Sequence, residues 1–211
     1  ILATGSELAP VGAPLGPAQI PDSNSPALAA AVRLAGGEVA LAQRVADSEE
    51  ALRAALHLAL QEAHVVLTCG GVSMGTRDLV KPLLQELGTV HFGRVAIKPG
   101  KPLTYATIQG VHLLGLPGNP VSSLVMFEMF ARPLLRLLAG QRAYRRPRVA
   151  AVLQQRLRHE PDRLEFQRAR LTWKGARWEA DTTGPQSSSR LLSLAGANAL
   201  LCLPQGRGDF E

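Results

Sequence analysis

The sequence predicts an α/β fold, a mainly parallel sheet with helices on both faces, followed by a small C-terminal all-β barrel domain. Three observations predict it. Apolar runs of strand length alternate with helical segments from the start of the chain to Gly140, the pattern of a parallel sheet covered by helices. Beyond Gly140 the alternation stops, and short strand-like runs follow the polar, proline-containing connector "AYRRPR". The charge also shifts: residues 1–143 hold 11 Lys/Arg against 10 Asp/Glu, whereas 144–211 hold 12 against 7, so most of the net +6 lies in the second part. We therefore expect two units, 1–143 and 144–211.

Each element follows in order. "ILAT" reads as the last part of a strand whose start lies outside this sequence, and "PQGRGDFE" breaks off just as abruptly. Ser25 is read as an N-cap with Pro26 at the first helical position, opening a helix over "ALAAAVRLAGG" that stops at Gly-Gly. "EVALAQRVA" reads as a strand. "DSEEALRAALHLALQEA" reads as a helix with apolar residues at three- and four-residue spacing, its Asp47 and Glu50 matching a capping box. "HVVLTC" is a strand, "KPLLQELG" a short helix closed by Gly88, and "VHFGRVAI" a strand. "LTYATIQGVHLLGL" gives two strands turning at Gln109-Gly110. Asn119 and Pro120 open the helix "VSSLVMFEMFARPLLRLLAG", which Pro133 is expected to kink. In the second unit "VAAVLQQRL", "LEFQRARLTWKG", "RWEADTTG" and "ALLCLP" read as strands.

Composition excludes several function classes. With 211 residues and 46% hydrophobic content the chain can bury a sizeable core, yet no apolar run reaches the ~18 residues of a membrane span. No secretory signal pattern opens it, so a cytoplasmic location is expected, with no membrane partner. Cys69 and Cys202 form no C-x-x-C pair, which leaves no support for a disulfide framework or zinc site. Aromatics are only 4% and no basic block interleaves with them, so a nucleic-acid partner is not expected and a small polyanion fits the basic balance at least as well. The histidines at 57, 64, 91, 112 and 159 lack metal-ligand spacing and read as structural.

Three loops carry the chemistry. "TCGGVSMGTRD" follows a strand, at the carboxyl edge where open α/β sheets bind ligands. Its Gly70, Gly71 and Gly75 either let backbone N–H groups approach a phosphate or are plain turn residues with Asp78 as a cap. Asp47 and Glu7, in "TGSEL", also follow strands. Three carboxylates at neighbouring strand ends form a site for a hard cation such as Mg²⁺, although Asp47 is equally a cap and Glu7 a solvated loop charge. In "AIKPGKPLTY", Lys98 and Lys101 flank a Pro-Gly turn with Arg94 nearby; a rigid pair of cations suits an oxyanion, and a solvated basic turn is the alternative. In "GLPGNPVSS" the helix opened by Asn119 and Pro120 offers an anion site or is simply well capped.

Taken together, "TGSEL", "PDSNSPAL", "CGGVSMGTRD", "IKPGKPLTY", "GLPGNPVSS", "LEFQRARLTW" and "TGPQSSSRLLSLAGANALLCLP" resemble the MoeA and gephyrin E-domain family of molybdopterin molybdenumtransferases across nearly the whole chain. The resemblance implies a MogA-like molybdopterin-binding domain for the first unit and the family's C-terminal β-barrel domain for the second. It implies molybdenum cofactor biosynthesis: adenylylated molybdopterin and molybdate as substrates, Mg²⁺ as the metal, and release of AMP. By the same resemblance Glu7, Asp47 and Asp78 are catalytic acids and metal ligands, and Lys98 and Lys101 hold molybdate. Thr4, Gly5, Gly70, Gly71, Val72, Ser73, Gly75, Arg94, Pro99, Gly100, Pro102, Pro117, Gly118, Asn119, Pro120, Arg168, Ser188 and Ser189 are implied to line the substrate site. Ser6 stands where many relatives carry aspartate, and Arg94 where they often carry lysine. The family's two N-terminal domains are absent from this sequence; at full length a homodimer is implied, with the molybdopterin adenylyltransferase as a partner. The alternatives are an adenylyltransferase-like enzyme, which would leave the β unit unexplained, and a non-enzymatic gephyrin-like scaffold.

Overall fold

The computed structural model describes residues 1–71 and 79–210. The first unit runs β1 (Leu2–Thr4), β2 (Leu8–Ala9), β3 (Ile20–Pro21), α1 (Asn24–Leu34), β4 (Gln43–Val45), α2 (Glu49–Glu62), β5 (Val65–Cys69), α3 (Val80–Leu87), β6 (Thr89–Phe92), β7 (Ile97–Lys98), β8 (Thr104–Ile108), β9 (Val111–Leu116), α4 (Pro120–Met126) and α5 (Arg132–Leu138). The second holds β10 (Val152–Leu153), β11 (Leu157–Arg158), β12 (Leu164–Lys174), β13 (Arg177–Thr182), a 3₁₀ turn at Leu191–Leu194, β14 (Ala199–Leu203) and β15 (Asp209–Phe210).

Six strands form the main sheet in the order β4-β1-β5-β9-β8-β6. The run β4-β1-β5-β9 is parallel, and β8 alone runs against its neighbours. Side chains alternate across a strand, and here neighbouring residues feed opposite cores. Ala3, Leu67 and Leu114 pack with Leu28 and Val32 of α1 and Val121 and Val125 of α4. Their sequence neighbours Leu2, Val66 and Leu113 pack with Leu52, Leu56 and Ala59 of α2 and Leu83 and Leu84 of α3. The expected two-faced α/β layer is thus present, and burial on both faces explains why the strand sequences are apolar runs rather than alternating ones.

Local expectations meet mixed outcomes. The hairpin turns where expected, with positive φ at both Gln109 (51°) and Gly110 (85°), as a two-residue primed turn requires. Helix α1 starts earlier than expected: Ser25 is not the cap but donates its N–H to Asp22 Oδ1 at 3.0 Å, and Pro26 sits inside the first turn, where no N–H is missed. Helix α2 is capped by Ser48, whose Oγ accepts from the Ala51 N–H, so Asp47 is released from that duty. The strand expected over 38–46 shrinks to Gln43–Val45 because its only neighbour, β1, offers three residues to pair. Where Pro133 is expected to kink its helix, a π turn, Phe127–Ala131, precedes α5, with the Arg132 N–H reaching back to the Phe127 carbonyl, which accommodates the ring and the missing donor at Pro133.

The largest departure is in "VHFGRVAI". The run splits, with β6 staying in the main sheet and β7 leaving it to pair in parallel with β12, Ile97 opposite Leu164 and Lys98 opposite Glu165. The second sheet, β10-β13-β12-β14, therefore takes a strand from the first unit. The strand expected over 149–157 reduces to the short β10 and β11, the latter paired with β15. Among the described residues no helix is long and apolar enough to cross a membrane.

Candidate functional site

The carboxyl ends of β1, β5 and β9 open into a cavity of about 940 Å³ whose far wall is built by the β7 loop and the second unit. Strand ends meet closely there. A Cβ at Gly70, whose φ is +92°, would stand 2.4 Å from the Thr4 carbonyl oxygen, so only glycine lets the β1 and β5 termini approach this near. Thr4, Gly5, Gly70, Gly71, Pro117, Gly118 and Asn119 line this side, with the carboxylates of Glu7 and Asp47. Asp47 is held by a reciprocal pair of bonds: its Oδ2 accepts from the Ser6 N–H at 3.1 Å, and its own N–H donates to Ser6 Oγ at 3.2 Å. Serine at position 6 thus braces an acid instead of adding one.

Lys98, Pro99, Gly100, Lys101 and Pro102 line the same cavity. The turn is wedged against α4, since Gly100 has φ +116° and a Cβ there would meet Met126 Cγ at 2.4 Å. Lys98 Nζ is 3.6 Å from Glu165 Oε2. Lys101 is exposed, and no ion-pair partner is recorded for it among the described residues.

The second unit contributes Glu160, Arg163, Glu165, Gln186, Ser187 and Ser188. Asn119 stands at the N-cap position of α4, as expected, but its side chain makes no capping bond. Its Nδ2 donates to Ser188 Oγ at 3.0 Å, and the Ser188 carbonyl accepts from the Val121 N–H at 3.1 Å. The helix start expected to be open to an anion has therefore lost one of its first free donors to the serine loop.

Of the residues singled out in the sequence, Thr4, Gly5, Glu7, Asp47, Gly70, Gly71, Lys98, Pro99, Gly100, Lys101, Pro102, Pro117, Gly118, Asn119 and Ser188 share this one cavity. Arg94, Pro120, Arg168 and Ser189 are not on its lining. Arg168 is fully buried behind the wall, where its Nε donates to Ser193 Oγ (3.0 Å) and its guanidinium to the Ser187 carbonyl (3.1 Å), so it holds the serine loop from behind. Burial pulls this guanidinium below its ordinary value, opposed in part by the charge of Glu165. Ser189 Oγ pairs with Ser187 Oγ. Val72, Ser73, Gly75 and Asp78 lie outside the described residues, and among the described residues no group of three His, Cys, Asp or Glu side chains is placed to hold a metal. Glu7 and Asp47 remain as two hard oxygen donors on one wall, a set that suits Mg²⁺, which commonly takes one or two protein carboxylates and completes its shell with water and phosphate.

Sequence reasoning missed Asn24, whose Nδ2 donates to the Gly118 carbonyl at 2.7 Å, and the acids and Arg163 of the second unit. Only the motif "PDSNSPAL" signalled the first; nothing local signalled the others, because the β7–β12 pairing brings them in. Cys69, read as a buried thiol, is buried at the end of β5 beside the cavity, and burial, with a smaller push from Asp22, drives its thiol up to about 12. Since the thiolate is the reactive form, alkylation of the native chain at pH 8 is expected to label Cys202, which is exposed, and not Cys69. One label per native chain and two in denaturant, counted by mass, checks this.

A smaller cavity, about 500 Å³, sits beside α2 and the β8–β9 turn, lined by Arg53, His57, Leu60, Leu87 and Ile108 among others. Arg53 is already paired with Glu49 and Glu86, so convergent polar groups are concentrated in the larger cavity.

An α/β sheet whose strand-end acids share one cavity with a proline-fixed lysine turn and residues of a second sheet belongs to the class of α/β proteins whose ligand crevice lies at the carboxyl ends of the strands. Comparison with known proteins agrees. Residues 1–137 match the family model of a probable molybdopterin binding domain, and residues 150–211 match that of the MoeA C-terminal region (domain IV). The chain belongs to the MoeA and gephyrin E-domain family and corresponds to its C-terminal half. It is similar to the molybdopterin molybdenumtransferase of Haemophilus influenzae, 35% identical over all of this chain and 53% of that protein. It is also similar to gephyrin of Dictyostelium discoideum, 38% identical over 91% of this chain and 31% of that protein. Among solved structures, a molybdopterin biosynthesis MoeA protein of Pyrococcus horikoshii superposes with a TM-score of 0.80 at 29% identity, covering all of this chain and 50% of the other. The chain thus spans about half the length, or less, of these relatives.

Proposed function

We propose that this chain forms the substrate-binding half of a molybdopterin molybdenumtransferase, which inserts molybdate into adenylylated molybdopterin and releases AMP. The observation that carries the reading is that Glu7, Asp47, Lys98 and Lys101 line a single cavity. The glycine-lined strand ends bring backbone close to a phosphate, and Ser6 keeps Asp47 turned in one direction. The lysine turn, fixed by prolines and by its packing on Met126, raises the occupancy of a dianion and holds it at one place for ligand exchange. Arg168 acts from behind, by fixing the serine loop. Mg²⁺ when bound would be held by Glu7 and Asp47, with Asp78 as third acid, and would neutralise charge on the phosphate oxygens of the leaving AMP. We take residues 1–143 and 144–211 as the two units, with β7 crossing between them.

Calorimetric titration of the chain with molybdate, and separately with AMP in the presence of Mg²⁺, tests this reading. Both ligands are expected to bind, each without displacing the other. A chain that binds neither, or in which molybdate and AMP compete for one position, contradicts it.

A further inference from the structure

The acid opposite Lys98 has an unusual setting. Glu165 is buried, with its side chain only 5% exposed, yet lies on the cavity lining. Its Oε1 accepts from Gln167 Nε2 at 3.2 Å, whereas its Oε2 has no hydrogen-bond partner. Two nitrogens flank that oxygen, each at 3.6 Å: Lys98 Nζ and His159 Nδ1. His159 has a fully buried side chain, and its Nδ1 also lacks a hydrogen-bond partner.

The other ring nitrogen fixes the chemistry. His159 Nε2 bonds to the Arg207 carbonyl, and a carbonyl can only accept, so Nε2 carries a hydrogen. A neutral ring would then turn the Nδ1 lone pair toward the carboxylate lone pairs of Glu165, with nothing between them. A proton at Nδ1 removes the conflict and makes the ring a cation beside a buried anion. With His159 charged, one carboxylate is shared by two cations and a full positive charge is left over at Lys98. With His159 neutral, Glu165 would cancel Lys98.

We propose that Glu165 and His159 are positioning residues for Lys98: Glu165 fixes where the ammonium stands on the cavity wall, and the His159 imidazolium offsets Glu165 so that Lys98 keeps its charge for an incoming oxyanion. This rests on the reading of the lysine turn as the molybdate site. The β7–β12 ladder, which sets Lys98 directly opposite Glu165, is what brings the three groups together.

The test is molybdate titration of the chain and of two substituted chains, each checked for folding by thermal melting. Removing the imidazolium alone with His159→Gln is expected to weaken molybdate binding about threefold or more. Adding Glu165→Gln removes the carboxylate that the imidazolium offset, so the double substitution should return affinity to within about twofold of the unaltered chain. Simple structural damage would weaken binding in both. A His159→Gln chain that binds as tightly as the unaltered chain, or a double substitution that binds more than about twofold more weakly than it, overturns the proposal, and either comparison suffices if one chain does not fold. An unaltered chain that binds no molybdate overturns the molybdate reading itself, whereas binding that is indifferent to these substitutions overturns this inference alone.

Discussion

Replacing Lys101 with alanine is expected to weaken molybdate binding roughly ten- to a hundredfold, the equivalent of losing one charge-assisted contact of about 1.5–3 kcal/mol, while AMP binding changes by less than about twofold. The asymmetry comes from where the charges stand. Lys101 lines the cavity together with Glu7 and Asp47, is exposed, and has no carboxylate partner among the described residues. Lys98 lines the same cavity, with its Nζ 3.6 Å from Glu165 Oε2, and Lys98→Ala should likewise weaken molybdate binding more than AMP binding. Titration calorimetry with each ligand measures both. Equal losses for molybdate and AMP would contradict the division of the cavity into an anion wall and a phosphate wall.

Arg168→Met is expected to destabilise the chain by about 3 kcal/mol, because it strands buried polar groups that the guanidinium now satisfies. The side chain is fully buried and bonds both Ser193 Oγ and the Ser187 carbonyl. Its backbone is bracketed as well, with the Arg168 N–H donating to Gln186 Oε1 and the Arg168 carbonyl accepting from Gln186 Nε2. Methionine fills much of the volume and supplies none of the donors. Urea unfolding, followed by far-ultraviolet circular dichroism, reads the loss as a shifted midpoint. A second effect should accompany it: the 184–193 loop bears Ser187 and Ser188, so molybdate affinity should fall although Arg168 does not reach the cavity. A variant as stable as the unaltered chain would show that the buried network is not what holds the loop.

Much of this molecule was legible in its sequence, for reasons that differ by element. The paired apolar strands announced themselves because β5 and β9 are buried on both faces, and the Gln109-Gly110 turn because few residue pairs accept positive φ twice. Helix starts were less legible. Asp22, Ser23, Ser25, Asp47 and Ser48 are all capable caps, and which one serves depends on where the preceding strand ends, a matter of tertiary pairing. The cavity acids and lysines could be chosen because each follows a strand or a rigid turn at one sheet edge, and the family motifs added the substrates. Arg168 could be picked out but not placed, since burial behind a loop leaves no periodic trace in an arginine. Glu165 and His159 were passed over for a similar reason: a two-residue strand such as β7 has no sequence signature, and only its departure to another sheet gives those side chains a neighbour in the lysine turn.

That departure makes the chain poor material for dissection. A protein engineer who cut at residue 143 would obtain a piece whose six-stranded sheet is whole but whose lysine turn has lost the rail it hangs from, Leu164 and Glu165. On the proposed reading of the lysine turn, transplanting the β unit from a relative would retune anion affinity without touching any residue of the turn, so that affinity and the choice of β unit travel together.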